Sequence, residues 1–469
     1  MSNRKNVYIV TLGCARNQVD SEVMAGELEG AGWTLADRPE SARVIVVNTC
    51  SFIESAADEA IDTILALADF KRTGACRRLV VTGCLPERYR EATGNALTEV
   101  DVFLGTGAYD QIVSAVGGLI DDKTCVLPDP DAIRMTGRGE KRRVREAPSA
   151  YLKIAEGCNR HCTYCIIPGL RGRQKSRPME DILQEARLLI AAGVKELVLV
   201  AQETTHYGAD LSSRAGLAEL LYALAGLAAP VPVQTQAPVW IRFLYGHPES
   251  MDSKLVEIIS DTPGLLPYFD LPIQHASGRV LKKMGRQYDM EDLVDLFGRI
   301  RRYIPEAVLR TTVITGFPGE TEDDFSQLVD FVRQVRFDHL GVFTYSDAED
   351  LPAHRYPDPV PAAVARERLR HLMTLQMDIS REKNQRYVGK NMDVLVEEIS
   401  ESGLWTGRTA CQAPEVDGVT FIRTEKGQDL IVGDFVRARI VDAMEYDLVA
   451  EAGDPEQGIR DVKDIGWIK

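Results

Sequence analysis

Residues 151–165, YLKIAEGCNRHCTYC, decide how the rest of the chain is read. The apolar run from Tyr151 has the composition of a strand, and it delivers Cys158, Cys162 and Cys165 at C-x3-C-x2-C spacing. Three thiols in eight residues, just past a strand, describe a metal site. Four cysteines would close a tetrahedral zinc or saturate a cubane cluster, whereas three leave one metal corner for an outside ligand. An open corner implies chemistry. A structural zinc completed by His161 would place one ligand between two cysteines of the same tight loop, and no second C-x2-C or H-x3-H follows nearby. A disulfide framework fits poorly with nine cysteines in a long chain without a secretory signal.

At 469 residues the chain exceeds one ordinary domain, and 45% hydrophobic residues are enough for substantial cores. A net charge of −15 argues against a generic nucleic-acid binder, because phosphate neutralisation needs a basic face. No run of eighteen apolar residues occurs, and the best stretch, Leu220 to Val233, is broken by Pro230 and Pro232, so no membrane association is expected. Arg4 and Lys5 before VYIVTLGC mimic a short lipoprotein signal ending at Cys14. The apolar part is too short for one, and a first strand is the better reading. Free thiols kept available for a metal imply a reducing cytoplasm.

Within residues 1–120 three β-branched runs, VYIVTLGC, VIVVNTC and LVVTGC, each end directly in a cysteine: Cys14, Cys50 and Cys84. Helix-like stretches, Asp20 to Glu29 and Glu54 to Phe70, lie between them. Near-continuous apolar strands alternating with helices predict a parallel sheet, and ligands gather at the carboxyl ends of such strands. Burial as small core residues explains one such cysteine easily, but three at the same topological place poorly. Cys76, Cys125 and Cys411 share no such placement and read as structural.

Residues 121–145, with Pro/Asp punctuation and the run RGEKRRVRE beginning at Arg138, read as a solvated linker, with a contact to an acidic partner or ribosomal RNA as the alternative. From 146 to 382 strand and helix alternate six times. The strands are YLKIAEGC, ELVLVAQET, WIRFLYGHP, PYFDLPIQH, VLRTTVITGFPG and HLGVFTYS, with helices such as Met179 to Ala192 and Asp323 to Val335 between them. Six βα units make an incomplete barrel, whose chemistry sits at the strand carboxyl ends. Candidate contacts there are Gln202, Glu203 and Thr204 after the second strand, His247 after the third, Gln274 and His275 after the fourth, and Gly316 in the TGFPGE turn after the fifth. Gly316 suits either close approach of a cofactor or an ordinary βα turn.

From 383 to 453 the pattern changes to five short alternating strands, a small OB-like barrel. Residues 391–452 hold thirteen Asp or Glu against five Lys or Arg. A surface this acidic should repel phosphate and attract a basic protein. Residues 454–469 read as a tail. The expected fold class is therefore α/β: an amino-terminal parallel-sheet domain, a central incomplete (β/α)6 barrel and a carboxyl-terminal all-β barrel.

The C-x3-C-x2-C loop with Tyr164 before its last cysteine resembles the radical S-adenosylmethionine superfamily. That resemblance implies a 4Fe-4S cluster on Cys158, Cys162 and Cys165 whose fourth iron chelates the methionine amino and carboxylate groups, with the backbone around Tyr164 against the adenine. By position, the contact to the methionine amino group falls on Gln202 to Thr204, although the usual glycine pair is absent there. The segments GCARNQVDSE, NTCSFIESAADEAIDTI and GCLPERY resemble the methylthiotransferases, which implies a second, auxiliary cluster on Cys14, Cys50 and Cys84. Asn17 and Asp20 match the family motif, but Asp20 reads equally as a helix cap, and neither they nor Asn48 and Thr49 receive a catalytic role. The carboxyl-terminal barrel resembles a TRAM domain.

IAEGCNRHCTYCIIPGLRGRQKSRP, LVAQETTHYG, YFDLPIQHAS and HLGVFTYSDAED resemble the class that modifies an aspartate of small-subunit ribosomal protein S-twelve rather than the transfer-RNA class. The resemblance implies two S-adenosylmethionine molecules, one giving a 5′-deoxyadenosyl radical that removes the β-hydrogen and one a methyl group, with sulfur from the auxiliary cluster. The substrate is then the ribosomal protein, free or in its subunit, with nucleic acid approached only as nearby ribosomal RNA. An electron donor and a sulfur donor are required and are not identified by the sequence. The rival readings are a transfer-RNA methylthiotransferase and a non-enzymatic iron-sulfur or ribosome-binding factor. The open corner of the first cluster is expected to face both the second cysteine trio and the acidic module.

Overall fold

Val44 to Val47 are buried on both sides of their strand, the burial expected where helices cover both faces of a parallel sheet. The computed structural model describes residues 5–453 apart from 134, 136–138, 140–141, 144–146, 214, 229–238, 402 and 425–428. The expected tail at 454–469, Arg4, Pro230, Pro232 and most of the basic run after Arg138 lie outside the described residues. Six parallel strands form the first sheet: β1 (Asn6–Thr11), β2 (Thr34–Leu35), β3 (Val44–Thr49), β4 (Arg78–Gly83), β5 (Val102–Leu104) and β6 (Thr124–Val126), in the order β2-β1-β3-β4-β5-β6. Ile45, Val47, Leu79 and Val81 pack on Ala57, Ala60 and Ile64 of the helix Glu54–Ala68. Val44, Val46 and Val80 pack on the other face with Met24 and Leu28 of helix α1 (Ala15–Gly30).

Two expectations are corrected here. The stretch 121–145 is not simply a solvated linker, because it contributes β6 to the sheet and buries Arg142 between Glu22 and Glu185. An edge strand of three residues is too short to show periodicity in sequence. Helix α1 begins at Ala15, directly after Cys14 at the N-cap position, rather than at Asp20. Asp20 is therefore not a cap but a buried residue of the helix interior.

The central domain has six parallel strands. β7 (Ser149–Lys153) is followed by a two-stranded ladder of β8 (Ala155–Glu156) and β9 (Lys175–Ser176), and then by β10 (Glu196–Val200), β11 (Trp240–Phe243), β12 (Tyr268–Asp270), β13 (Val308–Thr315) and β14 (His339–Thr344). They form the ladders β11-β10-β7 and β12-β13-β14. Backbone bonds from Ile241 N to Gly264 O (2.9 Å), Leu266 N to Ile241 O (2.8 Å) and Gly246 N to Asp270 O (2.9 Å) join the two into one open barrel. Outside it, Ile182, Ala186 and Leu189 of the helix Met179–Ala191 lie in the core, as their helical spacing requires.

The last five strands, β15 (Asn391–Ile399), β16 (Trp405–Thr409), β17 (Thr420–Arg423), β18 (Phe435–Ala443) and β19 (Leu448–Ala452), close into a barrel in the order β15-β16-β17-β19-β18. This barrel seats against the beginnings of the central strands. Trp240, first in β11, packs on Phe435 with ring centroids 4.6 Å apart. Tyr268, first in β12, donates its hydroxyl to Asp417 (2.6 Å), and His339, first in β14, reaches the Cys411 carbonyl (3.0 Å). Arg408 of β16 binds Glu196, first in β10, at 2.5 Å. The acidic module is thus at the end of the barrel opposite the strand carboxyl ends. The expectation that it borders the open corner is overturned, for a reason of tertiary seating that composition cannot express.

Candidate active site

Cys14, Cys50 and Cys84 follow β1, β3 and β4, three adjacent strands in register: Thr11 pairs with Asn48, and Asn48 with Thr82. The strand order reverses between β1 and β3, where a parallel sheet opens its ligand crevice. Gly13 has φ +94°, and a Cβ there would meet the Cys50 Cβ at 2.6 Å. Gly83 has φ +99°, and its Cβ would meet the Asn48 side-chain oxygen and the Thr49 carbonyl at 2.6 Å. The glycine before each of these two cysteines is what lets the loops approach.

A polar lattice ties these loops together. Asn17 donates to the Leu12 and Thr49 carbonyls (both 3.0 Å), and Asn48 donates to the Asn17 carbonyl and the Ser21 hydroxyl (both 2.9 Å). The Thr49 hydroxyl donates to the Thr82 carbonyl (2.7 Å) and accepts from Leu85 N (3.1 Å). Asn17, Asn48 and Thr49 are thus scaffolding for the three thiols. Burial, helped by the neighbouring Cys84, pushes the Cys50 thiol up to about 11. Burial also raises Cys84. At Cys14 burial acts in the same direction, but the Arg16 and Arg171 guanidiniums outweigh it and the thiol lies below its usual range.

The second trio emerges beyond β7 and β8. Gly157 has φ +81°, and a Cβ there would lie 2.1 Å from the Arg173 carbonyl oxygen, so Cys158 leaves the strand pressed against the returning chain. The Thr163 hydroxyl donates to the Lys283 carbonyl (2.9 Å), Thr163 N to the Met284 carbonyl (3.1 Å), and Cys165 N to the Cys162 carbonyl (3.1 Å). Burial pushes Cys158 up to about 11 and Cys165 up to about 12. Such thiols keep their protons unless a metal replaces them, since coordination deprotonates a thiol outright. Among the described residues no three His, Cys, Asp or Glu converge tightly enough for a single metal ion, which also leaves the zinc reading with exposed His161 without support. A polynuclear cluster gives each thiolate its own iron and does not need that convergence.

The two trios open onto one interface. Arg16, two residues past Cys14, donates to the Ala201 carbonyl just beyond β10 (2.8 Å) and lies 4.6 Å from the Tyr245 ring centroid. Arg88, on the helix Cys84–Tyr89, holds Asp350 beyond β14 through two 2.7 Å bonds. Between the trios lies a buried charged cluster that the sequence reading missed. Arg171 donates to Asp20 (3.0 Å), Asn17 (2.6 Å) and the Cys84 sulfur (3.4 Å), and Lys153 binds Glu156 (2.7 Å) and Asp20. The sequence signals for it were the charged Lys153 inside an otherwise apolar strand and the motif match of Asn17 and Asp20.

The other candidate contacts are mostly engaged with protein. Gln202 donates to Glu156, and the Thr204 hydroxyl to the Leu244 carbonyl (2.5 Å). Glu203 accepts Arg160 at 2.9 and 2.8 Å and so steadies the cysteine loop. The Tyr164 hydroxyl accepts from Arg286 Nε (3.1 Å), and Arg286 also contacts His247. Burial, with the Arg286 charge beside it, holds His247 down to about 2, so it stays neutral. His275 is fully buried and accepts from Ser277 N (2.9 Å). Gln274 continues the backbone ladder at φ +68°. Gly316 has φ +79°, and its Cβ would meet Ala365 Cβ at 2.4 Å, so packing against the helix Ala362–Gln385 already accounts for it.

Comparison with known proteins agrees with this layout. Residues 6–105 match an uncharacterized protein family, UPF0004; residues 152–332 match the radical SAM superfamily; residues 388–452 match the TRAM domain. Over 448 residues the chain is 52% identical to the ribosomal protein uS12 methylthiotransferase RimO of Desulfosudis oleivorans, covering 95% of this chain and 99% of the relative. The protein of the same name from Clostridioides difficile is 45% identical over 447 residues, 95% of this chain and 98% of that one. The radical S-adenosylmethionine methyltransferase TsrM from Kitasatospora setae superposes with a TM-score of 0.55 at 15% identity, over 75% of this chain and 77% of that one. The cobalamin-dependent radical enzyme OxsB gives 0.50 at 11% identity, over 75% and 55%, and both are likenesses of fold. With identity this high along nearly its whole length, and three matched segments in the order the structure displays, the chain belongs to the RimO family of ribosomal protein uS12 methylthiotransferases.

Proposed function

We propose that this chain attaches a methylthio group to the β-carbon of an aspartate in ribosomal protein uS12. The observation that carries the reading is that Arg171, on the segment leaving the Cys158–Cys165 loop, donates to the Cys84 sulfur of the other trio, while Arg16 beside Cys14 donates to the Ala201 carbonyl just beyond β10. Cys158, Cys162 and Cys165 would hold one 4Fe-4S cluster with a corner free for S-adenosylmethionine, and Cys14, Cys50 and Cys84 a second. Bound there, clusters and cofactor would supply one-electron reduction, hydrogen-atom abstraction, a methyl group and a sulfur atom, which no side-chain base could provide at an unactivated C–H bond.

The chain's own part is to bind, orient and exclude water. Glu203 fixes Arg160 and with it the Cys158 loop, while Arg286 fixes the side chain of Tyr164, whose backbone would be the part available to the adenine. Glu203 and Thr204 are held by protein partners, whereas Gln202 Oε1 is buried without one, so the second strand end would offer the cofactor its backbone and the Gln202 side-chain oxygen. Arg16, packed on Tyr245, closes the seam between the domains. The acidic barrel at the far end suits a distant hold on a basic ribosomal partner rather than a wall of the site. Such a substrate places the reaction in the cytoplasm.

The test is anaerobic reaction of the reconstituted chain with uS12, S-adenosylmethionine and a chemical reductant. A methylthio mass on one aspartate, release of 5′-deoxyadenosine and about eight irons per chain are expected. Unmodified uS12 together with methylthioadenosine in added transfer RNA would overturn the substrate, and about four irons per chain the two-cluster arrangement.

A further inference from the structure

Arg171 ends the helix Ile167–Arg171, six positions past Cys165, yet its guanidinium reaches the other trio. The side chain is 3% exposed. Nη2 donates to Cys84 Sγ (3.4 Å) and Asn17 Oδ1 (2.6 Å); Nη1 donates to Asp20 Oδ2 (3.0 Å) and Glu156 Oε2 (3.4 Å). The Tyr109 ring lies 5.9 Å away. The two carboxylates are on the nitrogen that faces away from the sulfur, and both are shared with Lys153. The positive edge of the guanidinium is therefore the group presented to Cys84.

We propose that Arg171 is a positioning residue that sets the reduction potential of the auxiliary cluster, through a charge-assisted hydrogen bond to the Cys84 thiolate. The inference rests on the reading that Cys14, Cys50 and Cys84 hold that cluster. Adding an electron makes a cluster more negative, and a buried cation donating to a ligand sulfur stabilises the reduced form, raising the potential. Burial makes the effect strong because little water screens it. Asp20 and Glu156 fix the guanidinium's orientation, so the same contact couples the sheet domain to the segment leaving the Cys158–Cys165 loop. An arginine is suited to this because its planar fork serves sulfur and carboxylates at once, which a lysine ammonium cannot do with the same geometry.

The test uses the full chain carrying Cys158→Ala, Cys162→Ala and Cys165→Ala, so that only the auxiliary cluster remains, titrated electrochemically with electron paramagnetic resonance as the readout. Arg171→Gln should move the midpoint potential to a more negative value with iron retained. Arg171→Lys, which keeps the charge, should give a smaller shift in the same direction and serves as the test if the neutral variant does not fold. Midpoints of the iron-loaded variants that coincide with the parent would overturn the proposal while leaving the cluster assignment standing. A parent that binds no iron would overturn the auxiliary-cluster reading itself, and this proposal with it.

Discussion

Replacing Glu196 with Gln should loosen the seat of the carboxyl-terminal barrel. Glu196 is fully buried and accepts Arg242 Nε at 2.6 Å, Arg408 Nη2 at 2.5 Å and the Ser149 hydroxyl at 2.7 Å. Burial alone would raise its carboxyl above 4.5, but the Arg242 and Arg408 guanidiniums outweigh it and hold it at about 2. That depression corresponds to about 3 kcal/mol of stability at neutral pH. Gln keeps the shape and takes the anion from the buried Arg242 guanidinium, while Arg408 retains Glu397 at 2.7 Å; breaking such a buried pair costs about 3–5 kcal/mol.

The sign with pH follows from the lowered carboxyl. Its contribution is fully present above about 4.5 and is lost as pH falls through about 2. The gap between parent and Glu196→Gln should therefore already be smaller by about 0.8 kcal/mol at pH about 4. Urea unfolding followed by tryptophan fluorescence, in a Trp33→Phe, Trp467→Phe background, reads the seat directly. Trp240 and Trp405 then remain, the first packed on Phe435 and both in one core cluster. A difference below about 0.5 kcal/mol, the range of an ordinary surface substitution, or one independent of pH, would refute the reasoning.

Two further outcomes are expected. Cys158→Ala should abolish 5′-deoxyadenosine production, whereas Cys50→Ala should preserve it and stop methylthiolation; loss of both products in each variant would show that the trios are not separable. Gly316→Ala should destabilise the fold by about 1–3 kcal/mol in thermal unfolding, because it combines a left-handed backbone with a 2.4 Å approach to Ala365. Unchanged stability with weakened S-adenosylmethionine binding would instead make Gly316 a cofactor contact.

The cysteine motifs were legible because their chemistry is written in short spacing: C-x3-C-x2-C in one loop, and a cysteine at the end of each of three apolar runs. Residues hidden from that reading owe their roles to long-range partners. Asp20 matched a motif but read as a cap, since an Asp at the start of a helix-like stretch has that local explanation. Its real partners, Lys153 and Arg171, stand 133 and 151 positions away. Arg142, within a run that reads as solvated charge, is buried by two carboxylates from different domains.

By itself the sequence determined the number and kind of strands in the barrels, the two trios of thiols and the acidic character of the last module, because periodicity, spacing and charge are local properties. Tertiary structure alone decided that the trios meet across one interface, that Arg171 touches the sulfur of the distant Cys84, and that the acidic barrel sits at the opposite end. The physical reason is the same in each case. Docking is selected by the pairing of buried charges such as Arg408 with Glu196, and a charged residue carries no mark in the sequence of which distant partner will take it out of water.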